Sequence, residues 1–374
     1  MKILLAYGHP FTKRQCRTFI DGWHEISPCD YFELVPYEAT KNTLDYFWPE
    51  GEELFSLQAE TSWLMGCELR GIMDSYRCGA AATVQEPLFV YAKHMGKPDG
   101  GYHFLCGLHS HQPHRCHHED SQQCWQELLG RTRQLVIGLQ LHIFCANSEH
   151  ILGLDGALTR YQKSIRYSDG TTMPGEEEVK FPGDSELYQE LHGVSRRLRQ
   201  AAEYGKQKES VLSSAQPIAV DKKEVKQEKQ GPSLLTVVPE PVAPGRVAGG
   251  ATAGGGVEVL SRLGVKVELL EDAVDRLGNF EKRIAQSDLV IATAEDIDSW
   301  TIDDIAMSRL VNVNSHIGRP IIGLVHRSSV SRRELGDHGI DGVSVTRIGR
   351  QAMPEEQRLH RAGVRCARTW SHMV

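Results

Sequence analysis

Residues 287–293 read SDLVIAT, and residues 319–325 read RPIIGLV. Both runs are apolar and too short for an ordinary helix, so the pattern predicts two buried strands. Between them, residues 302–314 carry apolar side chains at helical spacing. Strand, helix and strand in this order predict parallel strands joined by a crossover helix. A weaker third strand is predicted at 342–348, which reads GVSVTRI.

The N-terminal end of the chain has the same order of elements. Residues 1–7 read MKILLAY, residues 12–26 carry apolar side chains at helical spacing, and residues 31–36 return to strand composition. We therefore predict an α/β fold in which both chain ends form one doubly wound parallel sheet. Ligands bind at the carboxyl ends of such strands, which makes the segments after Tyr7 and Thr293 candidate site loops.

The middle of the chain is expected to form a second α/β domain, because 374 residues exceed one average domain. We predict a discontinuous Rossmann-like domain from residues 1–62 and 257–374, with residues 63–246 inserted. Within the insert, residues 205–246 are polar and proline-rich, which predicts a flexible loop. Residues 247–256 form either a Gly-rich hinge or an anion-binding turn.

The composition is that of an ordinary globular protein, with 40% hydrophobic and 24% charged residues. No apolar run approaches the roughly 18 residues of a membrane span. The net charge is -7, and the basic residues are scattered, so no nucleic-acid footprint is evident. Without a signal pattern or a CxxC pair, we expect a soluble cytoplasmic protein with free thiols and neither a membrane nor a nucleic-acid partner. The oligomeric state stays open.

From residue 247 the chain reads VAGGATAGGGVEVL, and residues 288–301 read DLVIATAEDIDSWT. This order resembles the glycerate kinase family of bacterial type, in which a Gly-Ala-rich turn opens a helix and a DLVITGEGRLDGQT segment follows. The strand RPIIGLV and its continuation stand where the family has VPVIALAG. MKILLAYGHPFTKRQ at the N-terminus is similar to the family's MKIVIAPDSFKGS.

The resemblance implies a two-domain kinase that transfers a phosphoryl group from ATP to D-glycerate with Mg²⁺, so its partners are a nucleotide and a small organic acid. Backbone N–H groups and cations hold phosphates in such enzymes. The candidate cofactor-binding residues are Lys13, Gly249, Gly250, Thr252, Gly254, Gly255 and Gly256. Alternatively, the GGATAGGG turn is only a flexible joint before the next helix.

Glu295 and Asp298 are the candidate catalytic residues, since carboxylates after a buried strand suit magnesium binding or proton abstraction. We expect them to face the Gly-rich turn across an interdomain cleft. Alternatively, Asp298 or Ser299 caps the helix that follows.

Other phosphate-handling motifs of the family are altered in this chain. The family's DGGEGT is represented by EATKNT at residues 38–43, and its GLGGSATNDGG by GLQL at 138–141 and CANSEH at 145–150. A β-carbon at each former glycine blocks positive φ and fills space that a phosphate needs. Two functions therefore stay open: an active kinase, and a catalytically impaired relative that binds a metabolite or a protein. In an impaired relative, we expect the phosphate space to be filled by Glu38, Lys41, Gln140 and Glu149.

Residues 106–120 read CGLHSHQPHRCHHED, and Cys124 follows. Thiolate and imidazole groups are zinc ligands, so this composition makes zinc a candidate metal. The candidate ligands are His109, His111, His114, Cys116, His117 and His118. Because the spacing fits no recognised zinc finger, an exposed histidine-rich loop is the alternative.

Overall fold

A computed structural model describes residues 1–79, 87–109, 122–146, 148–152, 156–158, 186–213, 242–299, 302, 306–347 and 353–371. Within these ranges, the chain forms two compact units. The first unit comprises Met1–Glu52 and Leu270–Val374, and the second comprises Glu53–Leu269. The second unit therefore contains residues 53–62 and the whole segment from 247 to 269.

The strands, in chain order, are β1 (Lys2–Tyr7), β2 (Tyr31–Pro36), β3 (Leu54–Leu57), β4 (Leu88–Ala92), β5 (Leu141–Cys145), β6 (Lys266–Leu269), β7 (Leu289–Ile297), β8 (Ile321–Ser328) and β9 (Gly342–Val345). The first unit contains a five-stranded sheet in the order β2-β1-β7-β8-β9. The second unit contains a four-stranded sheet in the order β3-β4-β5-β6. Every pairing in both sheets is parallel.

The helices, in chain order, are α1 (Lys13–His24), α2 (Lys41–Phe47), α3 (Ser62–Gly79), α4 (Tyr102–Leu108), α5 (Gln122–Val136), α6 (Glu186–Ser213), α7 (Gly256–Arg262), α8 (Leu270–Gly278), α9 (Phe280–Ala285), α10 (Ala306–Asn314), α11 (Arg332–Asp337) and α12 (Glu355–Trp370). A short 3-10 helix, Thr252–Gly255, precedes α7. Residues 205–213 continue α6, although their polar composition favours a loop. In the described ranges, no helix has the length and apolarity needed to cross a bilayer.

The predicted α/β fold is confirmed, since strands from both chain ends share one parallel sheet. The segment after Thr293, however, is not a loop as predicted. Strand β7 continues to Ile297 because Asp296 and Ile297 pair with Arg327 and Ser328 of β8. The polar residues that end the apolar run are thus still part of the sheet.

Apolar side chains cover the first unit's sheet on both faces, as the doubly wound prediction requires. On one face, Ile3 and Leu5 pack into a cluster with the buried side chains of α1 and α12. On the opposite face, Leu4 and Ala6 belong to a second cluster, which includes Val290. Each fully buried side chain of leucine or isoleucine size contributes about 1.5–3 kcal/mol to folding.

Helices α1 and α12 cross at two glycines. A β-carbon placed on Gly22 would lie 2.0 Å from the carbonyl oxygen of His360, and one on Gly363 would lie 2.0 Å from the carbonyl oxygen of Phe19. The two backbones therefore touch directly at this crossing. No larger residue fits at either position without separating the helices.

Candidate functional site

The carboxyl end of the first unit's sheet brings together side chains from several strands. The last residue of β1 paired with β7 is Ala6, opposite Ala292. Strands β7 and β8 remain paired for several residues beyond this point, as far as Ile297 and Ser328. Polar residues in this extension are therefore held by strand pairing, beyond the end of β1.

Two predicted catalytic carboxylates lie at this end of the sheet. Glu295 is exposed near the end of β7, and Asp298 is half-buried just after it. The backbone carbonyl of Asp298 accepts the N–H of Ile302 at 3.1 Å. Between them, Asp296 forms an ion pair of 3.5 Å with Arg327, and both side chains are substantially exposed. Such an exposed pair contributes at most about 1 kcal/mol. Glu295 itself is exposed to solvent.

The loop after β1 is fixed by two hydrogen-bonding side chains of the same edge. The Gly8 N–H donates to Thr293 Oγ1 at 2.9 Å, and the Thr293 hydroxyl is 3.3 Å from the Gly8 carbonyl oxygen. The His9 N–H donates to Glu38 Oε2 at 3.3 Å. Glu38 thus contacts the backbone of the loop after β1, and whether it fills phosphate space stays a prediction.

Lys13, the predicted phosphate cation, is exposed at the first residue of α1. A capping box precedes it, because the Thr12 side chain accepts the Gln15 N–H and the Gln15 side chain accepts the Thr12 N–H. This capping fixes the start of α1 at the residue where Lys13 projects.

His326 belongs to the same edge, and sequence reasoning missed it. It lies in β8 with only 3% of its surface exposed. Its ring centroid is 4.6 Å from that of Phe11, and Nδ1 is 2.8 Å from Thr346 Oγ1. Burial holds its pKa below the ordinary value, and the nearby charge of Arg347 adds to this effect. The available signal was the family's VPVIALAG, which ends in glycine where this chain has His326.

The Gly-rich turn lies in the second unit. Its backbone N–H groups donate hydrogen bonds to backbone carbonyl oxygens of the same chain. The Thr252 N–H donates to the carbonyl oxygen of Gly249 at 3.1 Å, and the Ala253 N–H donates to the carbonyl oxygen of His94 at 3.1 Å. The Gly254 N–H donates to the carbonyl oxygen of Met95. The Gly256 N–H is directed to the carbonyls of Thr252 and Ala253. In this conformation, these four N–H groups are not available to a phosphate.

The glycines of the turn are required by backbone geometry and close packing. Gly254 and Gly255 have φ of 68° and 102°, a region that L-residues with side chains rarely adopt. A β-carbon on Gly254 would lie 2.2 Å from the carbonyl oxygen of Lys97. The Gly254 carbonyl accepts N–H groups from Asp99 and Gly101 at 3.1 and 2.9 Å. The turn therefore joins the segment after β4 to the start of α7.

A buried carboxylate holds the chain that leads into the turn. Glu258 of α7 is fully buried, and its Oε1 accepts the Gly245 N–H at 2.6 Å and an N–H of Arg262 at 3.2 Å. Burial raises the pKa of Glu258, although the hydrogen bond from Gly245 and the charge of Arg262 each lower it. A β-carbon on Gly250 would lie 3.0 Å from Glu258 Oε2, so this glycine also allows a close approach.

His109 is the one predicted zinc ligand that falls within the described residues. Its Nε2 lies 3.0 Å from the hydroxyl oxygen of Thr132. Of the other candidates, His111, His114, Cys116, His117 and His118 lie outside the described residues. In the part of the chain that the structure describes, no group of three His, Cys, Asp or Glu side chains could hold a metal ion.

The model of the glycerate kinase family matches residues 201–374, which include the Gly-rich turn and the carboxylates on β7. The match supports the predicted resemblance to the glycerate kinase family over this part of the chain, which is slightly less than half of it. A crystal structure described as that of a "putative glycerate kinase 2" from Salmonella typhimurium LT2 has a similar fold, with a TM-score of 0.52 and 15% sequence identity. The similarity covers 99% of this chain and 98% of that one. No curated protein matches the sequence.

The resemblance to glycerate kinases implies a place for magnesium and for the phosphates of ATP, and the two candidate regions differ in how well they fit. The exposed carboxylate of Glu295 offers the kind of oxygen ligand that Mg²⁺ prefers, and Mg²⁺ often needs only one or two protein carboxylates. The Gly-rich turn does not fit a triphosphate in this conformation, because its N–H groups are already bonded. That the turn and the carboxylates line one cleft stays a prediction.

Proposed function

We propose that this chain is a glycerate kinase-like phosphotransferase that uses ATP and Mg²⁺ to phosphorylate D-glycerate in the cytoplasm. One observation carries the proposal: Glu295 and Asp298 lie at the carboxyl end of the central strand β7. In doubly wound sheets, ligands bind at this end of the strands. The family match over the same residues supports the assignment.

The proposed roles follow from the exposure of each group. Glu295 is exposed and suits either coordination of Mg²⁺ or acceptance of the proton from the glycerate hydroxyl. Asp298, half-buried at the end of the strand, would serve as the second oxygen ligand. Lys13 is exposed at the start of α1, where a cation can approach a phosphate oxygen.

Release of ADP by the purified protein tests the proposal, measured with D-glycerate and Mg²⁺ and with each left out. Glu295→Gln and Asp298→Ala should each lower the glycerate-dependent rate by about 10²-fold or more, the range for loss of a positioned acid or base. Glu281→Gln is the matched control, because Glu281 pairs with His316 on the exposed surface of the same unit. A rate that is the same in wild type and in both site variants would exclude catalysis by these carboxylates.

The second candidate is a catalytically impaired relative that binds a metabolite or a protein without turning over ATP. The internally bonded N–H groups of residues 252–254 favour it, since they cannot also cradle phosphates. A ligand that binds only the folded protein raises its stability with concentration, so thermal unfolding with D-glycerate, ATP or both distinguishes the candidates. Stabilisation by D-glycerate without ADP release would support the impaired relative, and steady glycerate-dependent ADP release would rule it out.

A further inference from the structure

Four arginines lie near the carboxyl ends of β8 and β9. They are Arg327 near the end of β8, Arg332 and Arg333 in the first turn of α11, and Arg347 just after β9, and we call them the arginine cluster. The Ser329 N–H donates to the Ile297 carbonyl oxygen at 2.9 Å, which ties the loop before α11 to the end of β7. The cluster therefore lies at the same edge of the sheet as Glu295, which precedes Ile297 in β7.

The guanidinium groups of the cluster have few contacts with the rest of the protein. Arg332, Arg333 and Arg347 are exposed, and the Arg327 side chain is 66% exposed. The Arg327 Nε atom lies 3.5 Å from Asp296 Oδ2, which is longer than a hydrogen bond. Among the residues that the structure describes, the four guanidinium groups make no other ion pair and no side-chain hydrogen bond. Their N–H donors therefore remain available to a ligand.

Arg309, in the same unit, shows how a structural arginine is held. Its guanidinium group donates to the Asp275 carboxylate at 2.9 Å and to the Glu271 carbonyl oxygen at 2.7 Å. Arg332 and Arg333 have neither kind of contact within the described ranges and are adjacent in the chain, so their charges repel each other. They also lie in the first turn of a helix, where the helix dipole disfavours cations. An anionic ligand would neutralise this positive charge, which the protein's own side chains neutralise only in part.

Two carboxylates of this edge define which anion fits. Glu334 of α11 is engaged in a capping box, in which it accepts the Ser331 N–H at 2.7 Å. Glu295 is exposed and suits Mg²⁺. A guanidinium group is always charged, and its planar fork matches two oxygens of one phosphoryl group. Several such groups beside a magnesium ligand suit a polyphosphate, because cations and magnesium together neutralise its charge in phosphoryl transfer.

We propose that the arginine cluster binds the polyphosphate of the nucleotide. It supplies the donors that the Gly-rich turn does not offer in this conformation, since the N–H groups of residues 252–254 are bonded internally. That the ligand is ATP rests on the proposed function. The binding of a polyphosphate anion does not, because it follows from the arginines themselves.

Isothermal titration calorimetry of the full-length protein tests the proposal, with ATP and Mg²⁺, inorganic triphosphate and inorganic phosphate as separate probes at one salt concentration. Replacing Arg332 and Arg333 together by glutamine should weaken ATP and triphosphate by about tenfold or more, the loss expected for charge-assisted hydrogen bonds. Arg347→Gln, on a different element, should also weaken both. The matched control replaces Arg361 and Arg368 by glutamine, which removes the same charge from exposed positions of α12 and should leave binding unchanged.

Three results would overturn the proposal. The first is unchanged triphosphate affinity in the Arg332/Arg333 double variant, or no binding of triphosphate to the wild type. The second is an equal loss in the α12 control, which would indicate attraction by net charge alone. The third is inorganic phosphate binding as tightly as triphosphate with the same loss in the variant, because the cluster would then hold a single phosphoryl group. All the substituted side chains are exposed, so thermal unfolding of each variant should match the wild type.

The ADP-release assay separates this inference from the kinase proposal. If triphosphate binding depends on the cluster but no ADP is released, the kinase proposal fails and the anion site stands. If ADP is released and the KM for ATP is the same in wild type and in the Arg332/Arg333 double variant, the kinase proposal stands and the assignment of the cluster to the nucleotide fails.

Discussion

Replacing Gly22 by alanine should destabilise the first unit, although the same change usually stabilises a helix. The added β-carbon would lie 2.0 Å from the His360 carbonyl oxygen, whereas ordinary contact begins near 3.4 Å. Helices α1 and α12 must therefore separate by roughly 1 Å or more at the crossing, which loosens packing around the buried Phe19 and Trp23. Overpacking of this kind costs about 1–3 kcal/mol, against a helix-propensity gain of about 1 kcal/mol.

Gly71→Ala is the matched control, because Gly71 lies in helix α3, is exposed, and has nothing within 4 Å of its would-be β-carbon. Urea unfolding followed by circular dichroism should show a less stable first unit in Gly22→Ala and a slightly more stable second unit in Gly71→Ala. Gly363→Ala should behave like Gly22→Ala, since its β-carbon meets the Phe19 carbonyl oxygen at the same distance. The reasoning is refuted if Gly22→Ala raises the free energy of unfolding as Gly71→Ala does.

Three further predictions concern the second unit. Gly254→Ala would place a side chain at positive φ, with its β-carbon 2.2 Å from the Lys97 carbonyl oxygen. It should therefore lower the free energy of unfolding by more than about 1 kcal/mol, and thermal unfolding measures this change. Glu258→Leu should cost about 1–3 kcal/mol, because the Gly245 N–H loses its acceptor. Because burial raises the pKa of Glu258, the folded state binds this proton more tightly than the unfolded chain, and stability falls as pH rises from the ordinary value through the raised one. Glu258→Gln should flatten that slope in urea unfolding at several pH values, and an unchanged slope would contradict this account.

The arrangement of strands in the first unit could be predicted because each apolar run is local in the sequence and its burial follows from composition. The end of β7 could not, because Glu295 and Asp296 interrupt the apolar pattern and stay in the strand only through pairing with β8. His326 gave no signal of its own, since a single histidine after an apolar run is compatible with many environments. Its partner Thr346 comes from another strand.

The Gly-rich turn shows a different limit. Its glycines predict positive φ, which the structure has at Gly254 and Gly255. The same glycines do not reveal where the N–H groups point, because the acceptors at His94 and Met95 are about 160 residues earlier in the chain. Phosphate-binding and structural glycine turns therefore look alike in sequence, and distant backbone contacts separate them.

The pairing of β1 with β7 has a consequence for biosynthesis. Ile3 is opposite Leu289, so the sheet of the first unit cannot close until the ribosome has made the residues that follow the insert. Residues 53–269 are complete before that point and can form their own sheet first. At synthesis rates of about 5–20 residues per second, the first 52 residues wait for their partner strand for roughly ten to fifty seconds. During that interval β1 can pair with β2 on one side, but its other edge lacks β7. A chaperone that recognises exposed apolar strand edges has its best opportunity to bind the nascent chain there.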